Sequence, residues 1–374
     1  MKIALVAPGP IPANTANSIQ VMKMAQAVAG LGHTLRVFVP GEDPRLAWRA
    51  LAAHYGLSGE FEIEWLPSHA WERGYGFTWR AVRAAGEWGA DAIYTRLPQA
   101  AAIAGQRGQP TIFELHDMPS GTMGPWLLRL FLRSQGARKL VVNTKYLQEK
   151  IAARYPIPKQ AEFIVLASNG VDLQRYAELP SPAAARKELG LGKMFTAGYT
   201  GHLYKGRGIS FIIDLARRLP KILFLLVGGR DADVAARRHQ AEGLLNVRFV
   251  GFVPNSDLPR YQAACDVLLM PYGRQVAGSS GSDIAAYTNP LKMFEYLAAG
   301  RPILTSDLPI LREVLNEENA IILPDQDLES WVSALAGLQG SQTQRDALSA
   351  AARKTSAEYS WEKRAQRVFH GLNG

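Results

Sequence analysis

The strongest constraint on this chain is the repeated alternation of short apolar runs with amphipathic stretches of helical period. Lys2–Ala7, Thr34–Val39, Asp91–Thr95, Thr111–Leu115, Lys139–Asn143 and Glu162–Leu166 read as strands of a first half. Phe195–Tyr199, Ile222–Val227, Val247–Val250, Asp266–Met270, Pro302–Thr305 and Ala320–Leu323 read as strands of a second. Helix-like segments lie between most of them, which predicts two open parallel sheets of the α/β class. At 374 residues the chain is too long for one typical core. Two domains are expected, 1–178 and 183–355, with 356–374 as a closing segment and Glu178–Pro182 as the linker. Ligands of such sheets bind beyond the carboxyl ends of the strands, so the loops there carry the functional reading.

Composition narrows the function classes. The chain is 47% hydrophobic and 20% charged, so it is globular rather than disordered. No apolar run reaches transmembrane length, and MKIALVAPGPIP reads as a strand entering a proline turn rather than a leader peptide. A lone cysteine, Cys265, excludes an internal disulfide and suggests a reducing, cytoplasmic setting. The net charge of +9 asks for an anionic partner: small phosphates, an anionic membrane face or nucleic acid.

Two stretches of the second half fit small phosphates. In the first, Asn289-Pro290 reads as an N-cap followed by proline at the first helical position, opening a helix over Pro290–Ala299 that stops at Gly300. Leu291 lies in its first turn, and Lys292 and Glu295 share a face with Asn289. Free N–H groups, a positive dipole end and a lysine make a cradle for a diphosphate; an exposed helix with an i,i+3 ion pair is the plainer alternative. The second stretch, Tyr199–Gly208, runs from a strand through Gly201, His202, Lys205 and Arg207 into a helix. Its glycines let backbone approach an anion, although a solvated basic turn reads the same way. Loops bearing Arg230 and Phe252 follow two further strands, where a planar base would fit.

In the first half, Glu114-Leu115-His116-Asp117 puts polar chemistry at a strand's carboxyl end, where a lone histidine is otherwise structural. Ser18 or Asn17 would cap a helix over Ile19–Leu31. Asp231-Ala232-Asp233 and Asp325-Gln326-Asp327 spell Asp-x-Asp, but capping and turn roles explain them, and no His/Cys cluster has zinc spacing. No metal and no cofactor are expected.

The segments GHLYKGRG, LVGG, VRFVGFV, DVLLMPY and NPLKMFEYLAAGRPILTSDLPILREV together resemble the C-terminal half of family 4 GT-B glycosyltransferases. ANSIQVMKMAQAVAGLGH, ELHD and SNGVD resemble the N-terminal half, in the same order. The resemblance implies two Rossmann-like domains facing across a cleft, with the last helix returning to the first domain. It also implies retaining transfer of a sugar from a nucleotide sugar. By that resemblance Glu295 would bind the ribose, Arg207 the donor diphosphate with Lys205 beside it, and Asn289–Lys292 the phosphate and sugar. His116 would bind the donor sugar, and Arg230 and Phe252 would flank the base.

This chain departs from the family pattern at Tyr287, where relatives commonly carry glutamate, and at Ala16-Asn17-Ser18, where they carry glycines. The first departure keeps a catalytically silent sugar-nucleotide binder open beside the enzyme; a GT-B epimerase is the other alternative. For the acceptor, Tyr75–Trp88 and Pro125–Lys139 mix aromatics with arginines and would suit an anionic membrane carrying a lipid-linked acceptor. They also read as core helices whose arginines reach solvent. Nucleic acid is not expected, because that reading rests on charge alone.

Overall fold

Parallel pairing runs through the whole first sheet, whose strand order is β3-β2-β1-β4-β5-β6-β7. These strands are β1 (Lys2–Val6), β2 (Thr34–Pro40), β3 (Glu62–Leu66), β4 (Ala92–Thr95), β5 (Thr111–Leu115), β6 (Ala137–Val142) and β7 (Ile164–Leu166). Their coordinates come from a computed structural model that describes residues 1–72, 74–159, 162–275 and 285–372. β3 was not expected, because two glutamates in five residues argue against a strand. It forms at the sheet edge because Arg36 on β2 bonds Glu62 at 2.8 Å and Glu64 at 3.0 Å across the pair.

The helix Ala16–Gly30 begins earlier than the sequence reading places it. Its cap is Thr15, whose hydroxyl accepts from the Ser18 N–H at 3.1 Å, so Asn17 is released from capping. The helix Tyr75–Trp88 buries Phe77, Ala81, Val82 and Ala85 against a core that includes Ala4, Val6 and Ile93 of the sheet.

A second sheet has the order β10-β9-β8-β11-β12-β13. Its strands are β8 (Phe195–Thr200), β9 (Ile222–Val227), β10 (Val247–Gly251), β11 (Val267–Met270), β12 (Ile303–Ser306) and β13 (Ile321–Leu323). In both sheets the order reverses beside the first strand of the set, at β1/β4 and at β8/β11. Connections leave in opposite directions there and open a crevice at the carboxyl ends. Two compact units result: Met1–Asn169 with Trp361–Gly374, and Gly170–Ser360. Residues 170–177, ahead of the expected linker Glu178–Pro182, belong to the second unit through Val171 N–H to Tyr359 O at 2.8 Å and Tyr176 OH to Gln262 Oε1 at 2.9 Å.

Among the described residues no helix is long and apolar enough to cross a membrane.

Candidate active site

In the second unit, β8 ends at Thr200 and the chain turns through Gly201–Gly208 before the helix Ile209–Arg218. Gly208 has φ +77°, and a Cβ there would lie 2.0 Å from the carbonyl oxygen of Pro271, just past β11. Only glycine lets the basic turn close over the end of the neighbouring strand. Gly201, at φ +126°, leaves room for the Lys292 ammonium, which would lie 2.9 Å from a Cβ at that position.

The helix over Leu291–Ala299 starts one residue later than expected. Pro290, not Asn289, is the cap residue, with φ −73° and ψ 130°, and Asn289 is buried just before it. Gly300 ends the helix in the left-handed region, as the sequence predicts. Lys292 makes no ion pair with Glu295 among the described residues; its Nζ is buried without a hydrogen-bond partner. It sits 3.5 Å from the centre of the Tyr199 ring and 5.5 Å from that of Tyr272. Arg207 reaches the same tyrosine: its Nη1 donates to the Tyr272 hydroxyl at 2.5 Å, with the guanidinium 4.8 Å from the ring centre.

Two cations therefore share an aromatic cage with Glu295 as the nearby carboxylate. Burial, followed by the charge of Arg207, holds the Lys292 pKa well below the ordinary lysine value, and Glu295 only partly opposes this. A buried ammonium that lacks an acceptor is costly to hold, and a bound anion would favour its charged form.

Glu295 is fixed from behind. Gln262 Nε2 lies 3.4 Å from its Oε2 and also donates to Thr200 Oγ1 at 3.2 Å. The remaining expected residues ring this centre or lie outside it. His202 stacks on Tyr204 with ring centres 4.6 Å apart, and the Arg230 guanidinium is 5.0 Å from the other ring centre of that stack, Tyr204. Arg230 also pairs with Asp233 at 2.9 Å, which accounts for one Asp-x-Asp, while Asp327 of the other caps a helix through Ser330 N–H. Phe252 is half exposed, Leu291 is half buried and Lys205 points to solvent.

In the first unit, His116 and Asp117 follow β5 as expected. His116 Nε2 lies against Glu114 Oε1, whose carboxylate can only accept, so that nitrogen carries the proton. The same Oε1 accepts from Gln20 Nε2 at 2.9 Å and Arg364 Nη2 at 2.8 Å, and Glu114 and Arg364 are both fully buried. Burial, then the charge of Arg96, lowers the His116 pKa to about 4. The imidazole is neutral at physiological pH, with Nδ1 left as an acceptor for a hydroxyl.

Two family models divide the chain. The model for group 1 glycosyl transferases matches residues 195–340, and that for Glycosyltransferase Family 4 matches residues 18–175. The chain belongs to the family 4, group 1 glycosyltransferases. This glycosyltransferase is similar to phosphatidyl-myo-inositol mannosyltransferase of Mycobacterium leprae, at 26% identity over 289 residues, covering 70% of this chain and 73% of that relative. In fold it is similar to Anabaena HepE solved with UDP and glucose, with a TM-score of 0.74, 18% identity and coverage of 100% and 99% of the two chains. Sucrose-phosphate synthase from Thermosynechococcus elongatus is a further likeness, at TM-score 0.73, 19% identity and coverage of 98% and 97%. The fold is GT-B, and the protein is an enzyme that transfers glycosyl groups.

The structure gathers Gly201, Arg207, Lys292 and Glu295 of this glycosyltransferase, which the sequence singled out, around Tyr199, Tyr272 and Gln262. Sequence reasoning missed these last three, which hold them. Tyr272 closes DVLLMPY at a strand's carboxyl end, and that position was the available signal.

Proposed function

We propose that this glycosyltransferase moves a sugar from a nucleoside diphosphate donor with retention of anomeric configuration and without a metal ion. The observation that carries the reading is the buried, unpartnered Lys292 ammonium beside Arg207. The bond from the anomeric carbon to the diphosphate breaks, and negative charge collects on the leaving phosphate. Fixed cations and the N–H groups at the start of the Leu291–Ala299 helix stabilise that charge without reorganising. The acceptor oxygen bonds to the same face of the sugar, and its proton goes to the leaving phosphate, so no glycosidase-type carboxylate pair is required. Glu295 holds the ribose, His116 accepts from a sugar hydroxyl through Nδ1, and Arg230 and Phe252 flank the base.

The acceptor is lipid-linked or a glycan, and the enzyme works on the inner, cytoplasmic face of a membrane. Support comes from the helix Met123–Leu132, where Met123 and Trp126 are half exposed and Arg129 and Arg133 also face solvent, while Leu127, Leu128 and Phe131 are buried. An apolar row edged by arginines suits an anionic interface. The name of the Mycobacterium leprae relative points to a lipid acceptor for that protein.

The test is a reaction of UDP-glucose or GDP-mannose with acceptor-bearing anionic vesicles, with and without EDTA, followed by NMR of the product. An α-linked product formed equally with EDTA is expected; a β-linked product, or loss of turnover with EDTA, contradicts the mechanism. In the same vesicles the protein pellets with lipid, and Trp126→Ser lowers that fraction. Protein left in the supernatant removes the membrane reading.

A further inference from the structure

Two arginines enter the His116 cluster of the first unit, and only one has a carboxylate. Arg364 pairs with Glu114 at 2.8 Å. Arg96, directly after β4 at the strand-order reversal, bonds through Nη1 to the amide oxygens of Asn17 and Gln20, the latter at 3.3 Å. Among the described residues it forms no ion pair, and its Nε and Nη2 make no hydrogen bond. Asn17 is available because Thr15 does the capping. One nitrogen of the guanidinium fork is thus clamped, and the rest is left without a protein partner at the carboxyl edge of the sheet. The Arg96 side chain is only half buried, so a ligand can reach it.

On balance the surroundings make the charge expensive. Burial, then Arg364, lowers the Arg96 pKa to about 9, with only Asp117 opposing. The adjacent imidazole is held neutral and supplies no negative charge. An arginine pre-aligned by two amides, half buried and lacking a carboxylate, has the form of a site for a planar or tetrahedral oxyanion.

We propose that Arg96 binds an anionic group, phosphate or carboxylate, carried by the acceptor. The inference rests on the proposed donor chemistry only in naming the ligand an acceptor. Arg96 is a specificity residue that selects a charged acceptor over its neutral counterpart, with His116 beside the bound anion. Charge so placed favours protonated imidazole, and by reciprocity anion binding raises the His116 pKa from about 4.

The experiment titrates the full chain, saturated with UDP, with glucose 6-phosphate and with glucose, while following affinity and the His116 ring signal by NMR. The phosphorylated sugar should bind about tenfold tighter or more, as expected for a charge-assisted contact, and should shift the His116 titration upward. Arg96→Gln should erase both effects and Arg96→Lys should keep part of each, with UDP affinity unchanged in both. A parallel arm pellets vesicles of phosphatidylcholine with and without phosphatidylglycerol. An Arg96-dependent gain there assigns the anion to a lipid headgroup, and its absence alongside the soluble effect assigns it to a soluble phosphate. If Arg96→Gln keeps the preference in both arms, or loses UDP affinity, the proposal is overturned. If UDP fails to bind while the Arg96-dependent preference persists, the donor assignment falls and the anion site stands.

Discussion

Arg207→Ala lowers kcat/KM for sugar transfer by about a hundredfold or more, the usual scale for removing one fixed donor to developing charge. Lys292→Met weakens nucleoside diphosphate binding by about tenfold or more, as expected when one charge-assisted contact is lost. The two changes differ in their effect on the unliganded protein. Lys292 Nζ is buried with no partner, so methionine, of similar shape, removes a desolvation cost. Lys292→Met therefore raises Tm while it weakens binding, a trade expected where stability is given up for a site. Arg207 is bonded to the Tyr272 hydroxyl, and its loss gives no such gain. Calorimetric melting beside nucleotide titration checks both. A lysine that merely packs would lower Tm when replaced and leave affinity alone.

The second large effect lies at Glu114. Removing either partner of the buried Glu114–Arg364 pair leaves an uncompensated charge, at a cost of about 3–5 kcal/mol. Glu114→Ala or Arg364→Ala should therefore lower Tm by about 10 °C. The double change Glu114→Leu with Arg364→Met should recover most of the loss, because neither charge remains. Turnover separates structure from chemistry here. The double variant folds but frees the His116 ring, so the defined tautomer is lost and kcat stays depressed. Additive losses in the double variant would mean that the pair is not coupled, and full activity would mean that Glu114 does not orient His116.

How much of this was legible in the chain follows from what each residue's neighbours are. Strands buried on both faces, such as Ile222–Val227, announce themselves as continuous apolar runs, and both sheets were readable from them. β3 was not, since its stability comes from Arg36 on the adjacent strand and not from its own propensity. Gly300 identified a helix end by local chemistry alone, whereas the Asn289 cap failed because Pro290 takes the extended conformation itself. Lys292 and Glu295 looked like an i,i+3 pair, and periodicity puts them on one face. Their separation depends on Tyr199 and Gln262, which are distant in sequence. Arg364 was invisible for the same reason: its partner Glu114 lies 250 residues away.

In the proposed mechanism Lys292 of the second unit receives the diphosphate. Its pKa is depressed in the free protein, so a bound anion raises it and binding takes up a proton. Below the depressed value lysine is charged in both states and affinity is flat; above it, affinity falls as pH rises. Titrating UDP and GDP calorimetrically in mildly alkaline buffers of different ionisation enthalpy measures this directly. Net proton uptake that disappears in Lys292→Met is the predicted result; no uptake in the wild type, or uptake that survives the substitution, contradicts the claim.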